Sequence, residues 1–304
     1  MIYDTIIIGR GPAGLTAGIY ASRFKLKNLI IGKEAGTLAL APMVENWPGE
    51  EAIGGKNLLQ KIEAHAKKLG SEIIIDQIVG IKKDSTFTVS TEGGLTHQAK
   101  SVILALGTQH RLLNIPGEQE FQGKGVSYCA TCDAPLFKDK IVAVVGGGDS
   151  GIKTALLLAK YAREIHLLVR DPAMKAEPTN QEVLKKESKI KIHLQSEPSE
   201  IKGKSNIESI ILKNGETIPV QGVFVAIGQV PSSQLAQGIG VQIDNKGYII
   251  INEDFSTNIP GVFAAGDVTV YKSGVSGFKQ GLIAAAAGAS AINSAYAFLR
   301  TQKK

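Results

Sequence analysis

The feature that most constrains this chain is a phrase that occurs twice. The first copy is Asp4-Thr5-Ile6-Ile7-Ile8-Gly9-Arg10-Gly11-Pro12-Ala13-Gly14. The second is Ile141-Val142-Ala143-Val144-Val145-Gly146-Gly147-Gly148-Asp149-Ser150-Gly151. Each leads into an Ala/Leu-rich segment with helical spacing, 15–23 and 152–160, and then into a second apolar run, 28–31 and 164–169. Apolar run, glycine loop, helix and apolar run together describe a strand–helix–strand unit with a parallel sheet. The glycines have separate tasks. The first turns the chain tightly, the second lets backbone approach a pyrophosphate, and the third brings helix and strand close. The helix N-terminus then offers free N–H groups and a positive dipole end to the phosphates. One such loop is a weak signal, but two in the right setting predict two dinucleotide-binding units.

Between the copies lies a strand-rich stretch that includes 71–75 and 86–90 and ends in Ser101-Val102-Ile103-Leu104-Ala105-Leu106-Gly107. A matching phrase, Gly222-Val223-Phe224-Val225-Ala226-Ile227-Gly228, follows the second copy. Each reads as a buried strand that ends in glycine beside a bound dinucleotide. The chain returns near Lys246 and Gly247, passes through Gly261-Val262-Phe263-Ala264-Ala265-Gly266-Asp267, and closes with a helix over 279–299. The expected fold is therefore α/β, with two Rossmann-like dinucleotide-binding domains, the second inserted in the first. The boundaries predicted are 1–114 with 247–304 for the first and 115–246 for the second. Pro116 and nearby glycines mark hinges at 114–117 and 244–247. A length of 304 residues is enough for two cores.

Composition narrows the function. The net charge of +6 reads either as a lysine-rich solvated surface or as a basic face for an acidic protein partner. No basic run is interleaved with aromatics, which argues against nucleic acid. The longest small-apolar stretch, 282–292, is shorter than the roughly 20 residues a bilayer requires. The N-terminus lacks a basic leader and runs straight into a strand-like segment. A cytoplasmic protein with no membrane partner is expected.

There are two cysteines, in Cys129-Ala130-Thr131-Cys132-Asp133. A secreted scaffold would use more, at wider spacing. A structural zinc site needs four ligands, and His65, His97, His110, His166 and His193 show no ligand spacing. No metal is expected. One reactive CxxC in a reducing compartment fits better. Cysteines at i and i+3 can bridge if the segment turns as a first helical turn does. One thiolate would attack a partner disulfide and the other would resolve the mixed disulfide. Asp133, directly beside the pair, either carries a proton or caps a short turn ahead of Pro135.

Taken together and in order, these features resemble the low-molecular-weight thioredoxin reductases. The resemblance covers nearly the whole chain. It rests on Gly9 to Gly14, Val44-Glu45-Asn46-Trp47-Pro48-Gly49, Gly125-Val126-Ser127-Tyr128-Cys129-Ala130-Thr131-Cys132-Asp133, Gly146 to Gly151, and Gly261 to Asp267. The most specific element is the CxxCD placed just before the second glycine loop. The resemblance implies FAD in the first domain. Gly9, Gly11, Pro12 and Ala13 would cradle its pyrophosphate, and Gly266 and Asp267 its ribityl chain and pyrophosphate. Asn46 and the backbone near Val79 and Gly107 would line the pocket. Lys279 and Gln280 match a family Arg-Gln pair that borders the flavin. Glu34 would meet the ribose, or is a solvated loop-tip residue. By family position Cys129 attacks the substrate, Cys132 faces the flavin and Asp133 is the acid/base. A homodimer with mutually reorienting domains, acting on a thioredoxin-like protein, is also implied.

Two departures from the family pattern matter. The second loop, with Gly148, Asp149 and Ser150, is intact, so a nicotinamide dinucleotide fits there. The family's three basic residues for the 2′-phosphate of NADPH correspond to Arg170, Asp171 and Lys175. Asp171 would repel a phosphate and favour a free ribose hydroxyl, as in NADH. NADPH leads as donor by family membership. NADH, a deazaflavin or an acidic electron-donor protein such as ferredoxin stays open. The flavin-side loop is also shortened, to Gly36-Thr37-Leu38, where a family polar contact is either lost or replaced by the Thr37 hydroxyl. A flavin-dependent NAD(P)H–ferredoxin reductase on this fold would lack the CxxC, and a poorly active flavoprotein redox sensor would keep it.

Overall fold

A computed structural model describes residues 2–41, 43–274 and 278–302. The chain folds as two units, residues 1–39 with 47–109 and 230–304, and residues 40–46 with 110–229.

In the first unit, strand β1 (Ile2–Ile8) lies between β2 (Asn28–Ile31) and β6 (Thr96–Leu104), parallel to both. The sheet runs β3 (Glu72–Ile74), β2, β1, β6, β5 (Phe87–Thr91), β4 (Ile78–Lys83). β6 changes character along its length. Its first half alternates exposed and buried residues and pairs antiparallel with β5. Its second half, Ser101 to Leu104, is wholly buried and also pairs with Val262–Ala264. A strand covered on both faces is apolar, and after Ser101, whose hydroxyl donates to the Asp4 carbonyl, the sequence becomes so.

Successive isoleucines of β1 feed opposite faces, as strand periodicity requires. Ile6 and Ile8 enter one core and Ile7 the other. The second face is covered by α1 (Pro12–Arg23), α2 (Gly55–Leu69) and the C-terminal helix Gly281–Thr301. α1 and the C-terminal helix approach closely because a Cβ on Gly288 would strike the Ala13 carbonyl. The apolar C-terminal segment is longer than 282–292. At 21 residues it alone, among the described residues, is long and apolar enough to cross a membrane. Its buried stripe, Ala284, Gly288, Ala291, Ile292, Ala295 and Leu299, lies in this core, as in an ordinary core helix.

The second unit is a five-stranded parallel sheet in the order Ile190–His193, Glu164–Leu168, Ile141–Val145, Gly222–Val225, Val126–Ser127. One face carries α3 (Ala130–Asp133), α4 (Asp149–Leu158) and α5 (Pro178–Lys185). The other packs on an antiparallel meander of Pro198–Gly203, Ile207–Leu212 and Thr217–Pro219. The α/β fold with two parallel, dinucleotide-type sheets is thus the one expected. The chain passes between the units at 39/40, 46/47, 109/110 and 229/230. Residues 230–246 stay with the first unit because Ala236 and Val241 are buried in its core beside Ile249 and Ile251.

Candidate active site

The first glycine loop joins β1 to α1. Gly9 has φ +121, and a Cβ there would fall on the Ala105 carbonyl. A Cβ on Gly14 would fall on the Gly9 carbonyl. Packing alone therefore requires both glycines. Gly11 is different: its φ is −78, and nothing lies within 4 Å of its Cβ position. The fold does not demand glycine there, whereas a phosphate lying against the backbone would. α1 begins at Pro12, directly after Gly11, with no side-chain cap, so its first N–H groups are open to an anion. The residues fit the pyrophosphate of a bound FAD.

Several expected residues gather around this loop. Gly36 lies against Gly11, with its Cβ position 3.1 Å from the Gly11 Cα. Thr37 and Leu38 follow it in a 3₁₀ turn. A Cβ on Gly266 would sit 3.1 Å from that of Ala13. Beside it the Asp267 carboxyl is pushed up by burial, against the weaker opposing pull of Lys279. The Lys279 ammonium lies 3.7 Å from the Tyr248 ring centroid. Gln280 occupies the position just before the C-terminal helix, and Gly107 turns the chain with φ +63 just past β6. Glu34 is exposed after β2, and the Val79 side chain is exposed on β4 at a register shift. Asn46 falls in the segment that groups with the second unit.

In the second unit Cys129 and Cys132 form a disulfide, with Cα atoms 5.3 Å apart. Cys129 is the N-cap of α3, and its carbonyl accepts from the N–H groups of Cys132 (3.1 Å) and Asp133 (3.0 Å). That single turn brings the sulfurs together. Asp133 is 6% exposed. Its Oδ2 accepts from Ser127 Oγ at 2.7 Å, and the same hydroxyl accepts from the Cys129 N–H at 3.1 Å. Asp133 Oδ1 is buried without a partner. Burial pushes the carboxyl above the usual carboxylate range, although the Ser127 bond opposes this. A carboxyl biased toward its protonated form beside a redox disulfide is suited to giving and taking a proton.

The second glycine loop repeats the logic of the first. A Cβ on Gly146 would press on the Ala226 carbonyl and one on Gly151 on the Gly146 carbonyl, while Gly148 faces open space. Asp149 and Ser150 open α4 directly after Gly148. Arg170 and Lys175 are exposed beyond the strand Glu164–Leu168, with Asp171 between them. This loop fits a second dinucleotide.

The chain matches the family of pyridine nucleotide-disulphide oxidoreductases over residues 3–291. It is 41% identical to a thioredoxin reductase of Peptoclostridium acidaminophilum over 283 residues, 88% of this chain and 90% of that one. It is 36% identical to one from Streptomyces coelicolor over 98% of this chain and 94% of the other. The chain belongs to the low-molecular-weight thioredoxin reductases. Among solved structures, the thioredoxin reductase of Streptococcus pyogenes superposes with a TM-score of 0.90, at 33% identity and 99% coverage of both chains. The protein is an oxidoreductase, a flavin-dependent disulfide reductase.

In this thioredoxin reductase family member the candidate site also contains residues that no sequence motif singles out. Ser127 links Asp133 to the Cys129 backbone. Glu118, 1% exposed, accepts from the Leu113 and Asn114 N–H groups and from the Tyr128 hydroxyl at 2.9 Å. Tyr128 is stacked on His110, with ring centroids 4.9 Å apart. The clamp holds the residue just before Cys129. Arg10, inside the first glycine loop, donates from Nη2 to Glu63 Oε2 at 2.7 Å and from Nη1 to the Gly32 and Lys33 carbonyls. It thereby ties the loop to α2 and to the end of β2. The sequence signal for Ser127 is its place two residues before the CxxC, within the phrase Gly125 to Asp133.

Proposed function

We propose that the chain reduces the disulfide of a thioredoxin-like protein, using FAD in the first unit and a pyridine nucleotide as donor. The observation that carries this reading is the Cys129–Cys132 disulfide beside the buried, partly unsatisfied carboxyl of Asp133. Gly9, Gly11, Pro12 and Ala13 would hold the FAD pyrophosphate, with Gly266 and Asp267 closing the pocket. When bound, the flavin supplies a two-electron exchange with the nucleotide and with the disulfide.

The chain's own residues do the rest. Two electrons break the Cys129–Cys132 bond and leave two sulfurs, one of which takes a proton. Asp133 holds and delivers that proton, with Ser127 fixing its Oδ2. The Cys129 thiolate attacks one sulfur of the partner disulfide, and the other sulfur leaves as thiolate. A mixed disulfide forms. Cys132 then attacks the Cys129 sulfur, the partner's second sulfur leaves, and the intramolecular disulfide is restored. Two electrons thus pass to the partner, which ends as a dithiol. The Tyr128–Glu118 clamp keeps Cys129 on its turn through this exchange.

Family membership supports thioredoxin as partner, a homodimer and a cytoplasmic setting. The discriminating experiment compares Cys129→Ser with Cys132→Ser under anaerobic reduction with oxidised thioredoxin. Cys132→Ser should accumulate a mixed disulfide through Cys129, and Cys129→Ser should form none and reduce nothing. Trapping through Cys132 in the Cys129→Ser protein would reverse the two roles.

A further inference from the structure

The second dinucleotide site has an acid where a phosphate-binding site needs a base. Val169, just past the strand Glu164–Leu168, lies against the glycine loop: a Cβ on Gly147 would strike its Cγ1 within 2.5 Å. The Lys175 N–H donates to the Gly147 carbonyl at 2.8 Å. The turn that holds Arg170, Asp171 and Lys175 is therefore wrapped onto the loop that cradles the pyrophosphate. In units of this kind, the group at the end of the second strand reads the adenosine ribose.

The two cations of that turn are already engaged by Asp171. Lys175 Nζ lies 2.7 Å from Asp171 Oδ2, and Arg170 Nε lies 4.0 Å from Oδ1. The three side chains together carry only one net positive charge. A second carboxylate, Asp149, opens α4 and accepts from the Glu177 N–H (3.0 Å) and from Asn180 Nδ2 (2.7 Å). It pins α5 beside the loop and adds negative charge at its edge. A 2′-phosphate would have to displace Asp171 from Lys175 and would meet its carboxylate. A 2′-hydroxyl can instead donate to Asp171 with the ion pair intact.

We propose that Asp171 makes this site selective for a nucleotide with a free 2′-hydroxyl, NADH, over 2′-phosphorylated NADPH. The inference rests on the disulfide-reductase reading above and specifies its electron donor. NAD⁺ and NADP⁺ allow a test without electron transfer. Titrated calorimetrically into the flavin-loaded enzyme, NAD⁺ should bind roughly ten-fold or more tightly than NADP⁺. The same order should hold for 5′-AMP over 2′,5′-ADP, which places the discrimination at the 2′ position. Asp171→Arg should reverse the preference, and Asp171→Asn should reduce it toward unity. Both changes lie in an exposed turn, so flavin content and melting temperature should match wild type.

Equal or tighter binding of NADP⁺ by wild type, an unchanged preference in Asp171→Arg, or binding of neither nucleotide would overturn the proposal. Enzyme reduced by dithionite separates these outcomes from failure of the underlying reading. If it reduces thioredoxin while NAD⁺ fails to bind, the reductase stands and the donor assignment falls.

Discussion

Replacing Gly9 and Gly11 with alanine one at a time separates folding from cofactor binding at positions two residues apart. At Gly9 the methyl would occupy the place of the Ala105 carbonyl, at φ +121. Left-handed strain of about 1–3 kcal/mol adds to an overpacking cost of about 1–3 kcal/mol. A loss of about 2–6 kcal/mol is a large share of a typical net stability of about 5–15 kcal/mol. At Gly11 the backbone is ordinary (φ −78, ψ −175) and the space is empty within 4 Å. Loss of a glycine N-cap costs under about 1 kcal/mol, and the unfolded chain loses entropy worth about 0.4–1 kcal/mol in the other direction. The Gly11→Ala apoprotein should therefore melt within a few degrees of wild type. Its methyl stands where the pyrophosphate must approach, however, and an overpacking cost of about 1–3 kcal/mol corresponds to about a five- to 150-fold weaker FAD affinity. Thermal melting of the apoproteins and fluorescence titration with FAD measure both quantities. A Gly11→Ala protein that holds FAD within two-fold of wild type, or that unfolds as readily as Gly9→Ala, would refute the reasoning.

Three further outcomes are expected. Asp133→Asn should slow dithiol–disulfide exchange by about 10²–10⁴-fold in stopped-flow assays. Because burial raises the folded Asp133 pKa, the unfolded chain ionises first as pH rises. Wild type then loses stability as pH climbs from the usual carboxylate range through the raised value, a loss the Asn variant lacks. The variant's relative melting temperature should therefore improve only above the carboxylate range, and an equal offset at every pH would count against this account. Glu118→Gln places an amide NH₂ among three donors and should cost about 1.5–3 kcal/mol in urea denaturation; a cost below 0.5 kcal/mol would mean the clamp does not hold Tyr128. Arg10→Met breaks a largely buried pair and should cost about 2 kcal/mol, lowering flavin retention with it. Full flavin occupancy at wild-type stability would remove Arg10 from the loop's support.

Much of this molecule could be read along the chain. Both strand–loop–helix units appear where the glycine phrases place them, and Asn28–Ile31 has the residues expected. These signals are local: strand period, glycine spacing and an i, i+3 cysteine pair all lie within a dozen residues. The adjacency of Asp133 to the pair was equally plain. Its burial and its bare Oδ1 were not, because they depend on what the fold lays over the turn.

The sequence by itself determined that there are two strand–glycine loop–helix turns and one closely spaced cysteine pair, because turn geometry and bonding distance demand particular residues at short range. Only the tertiary structure decided what each residue does there. Gly9 and Gly11 look alike in the motif, and only Ala105, brought alongside by β6, tells the packing glycine from the open one. Arg10 meets Glu63 across 53 residues, and Ala236 and Val241 enter the first core rather than the second. Asp171 reads on paper as one acid among bases. Its ion pair with Lys175, and the seating of that turn on Gly147, appear only in the folded chain. Contacts of that range have no period along the chain, so they emerge only when the core has packed.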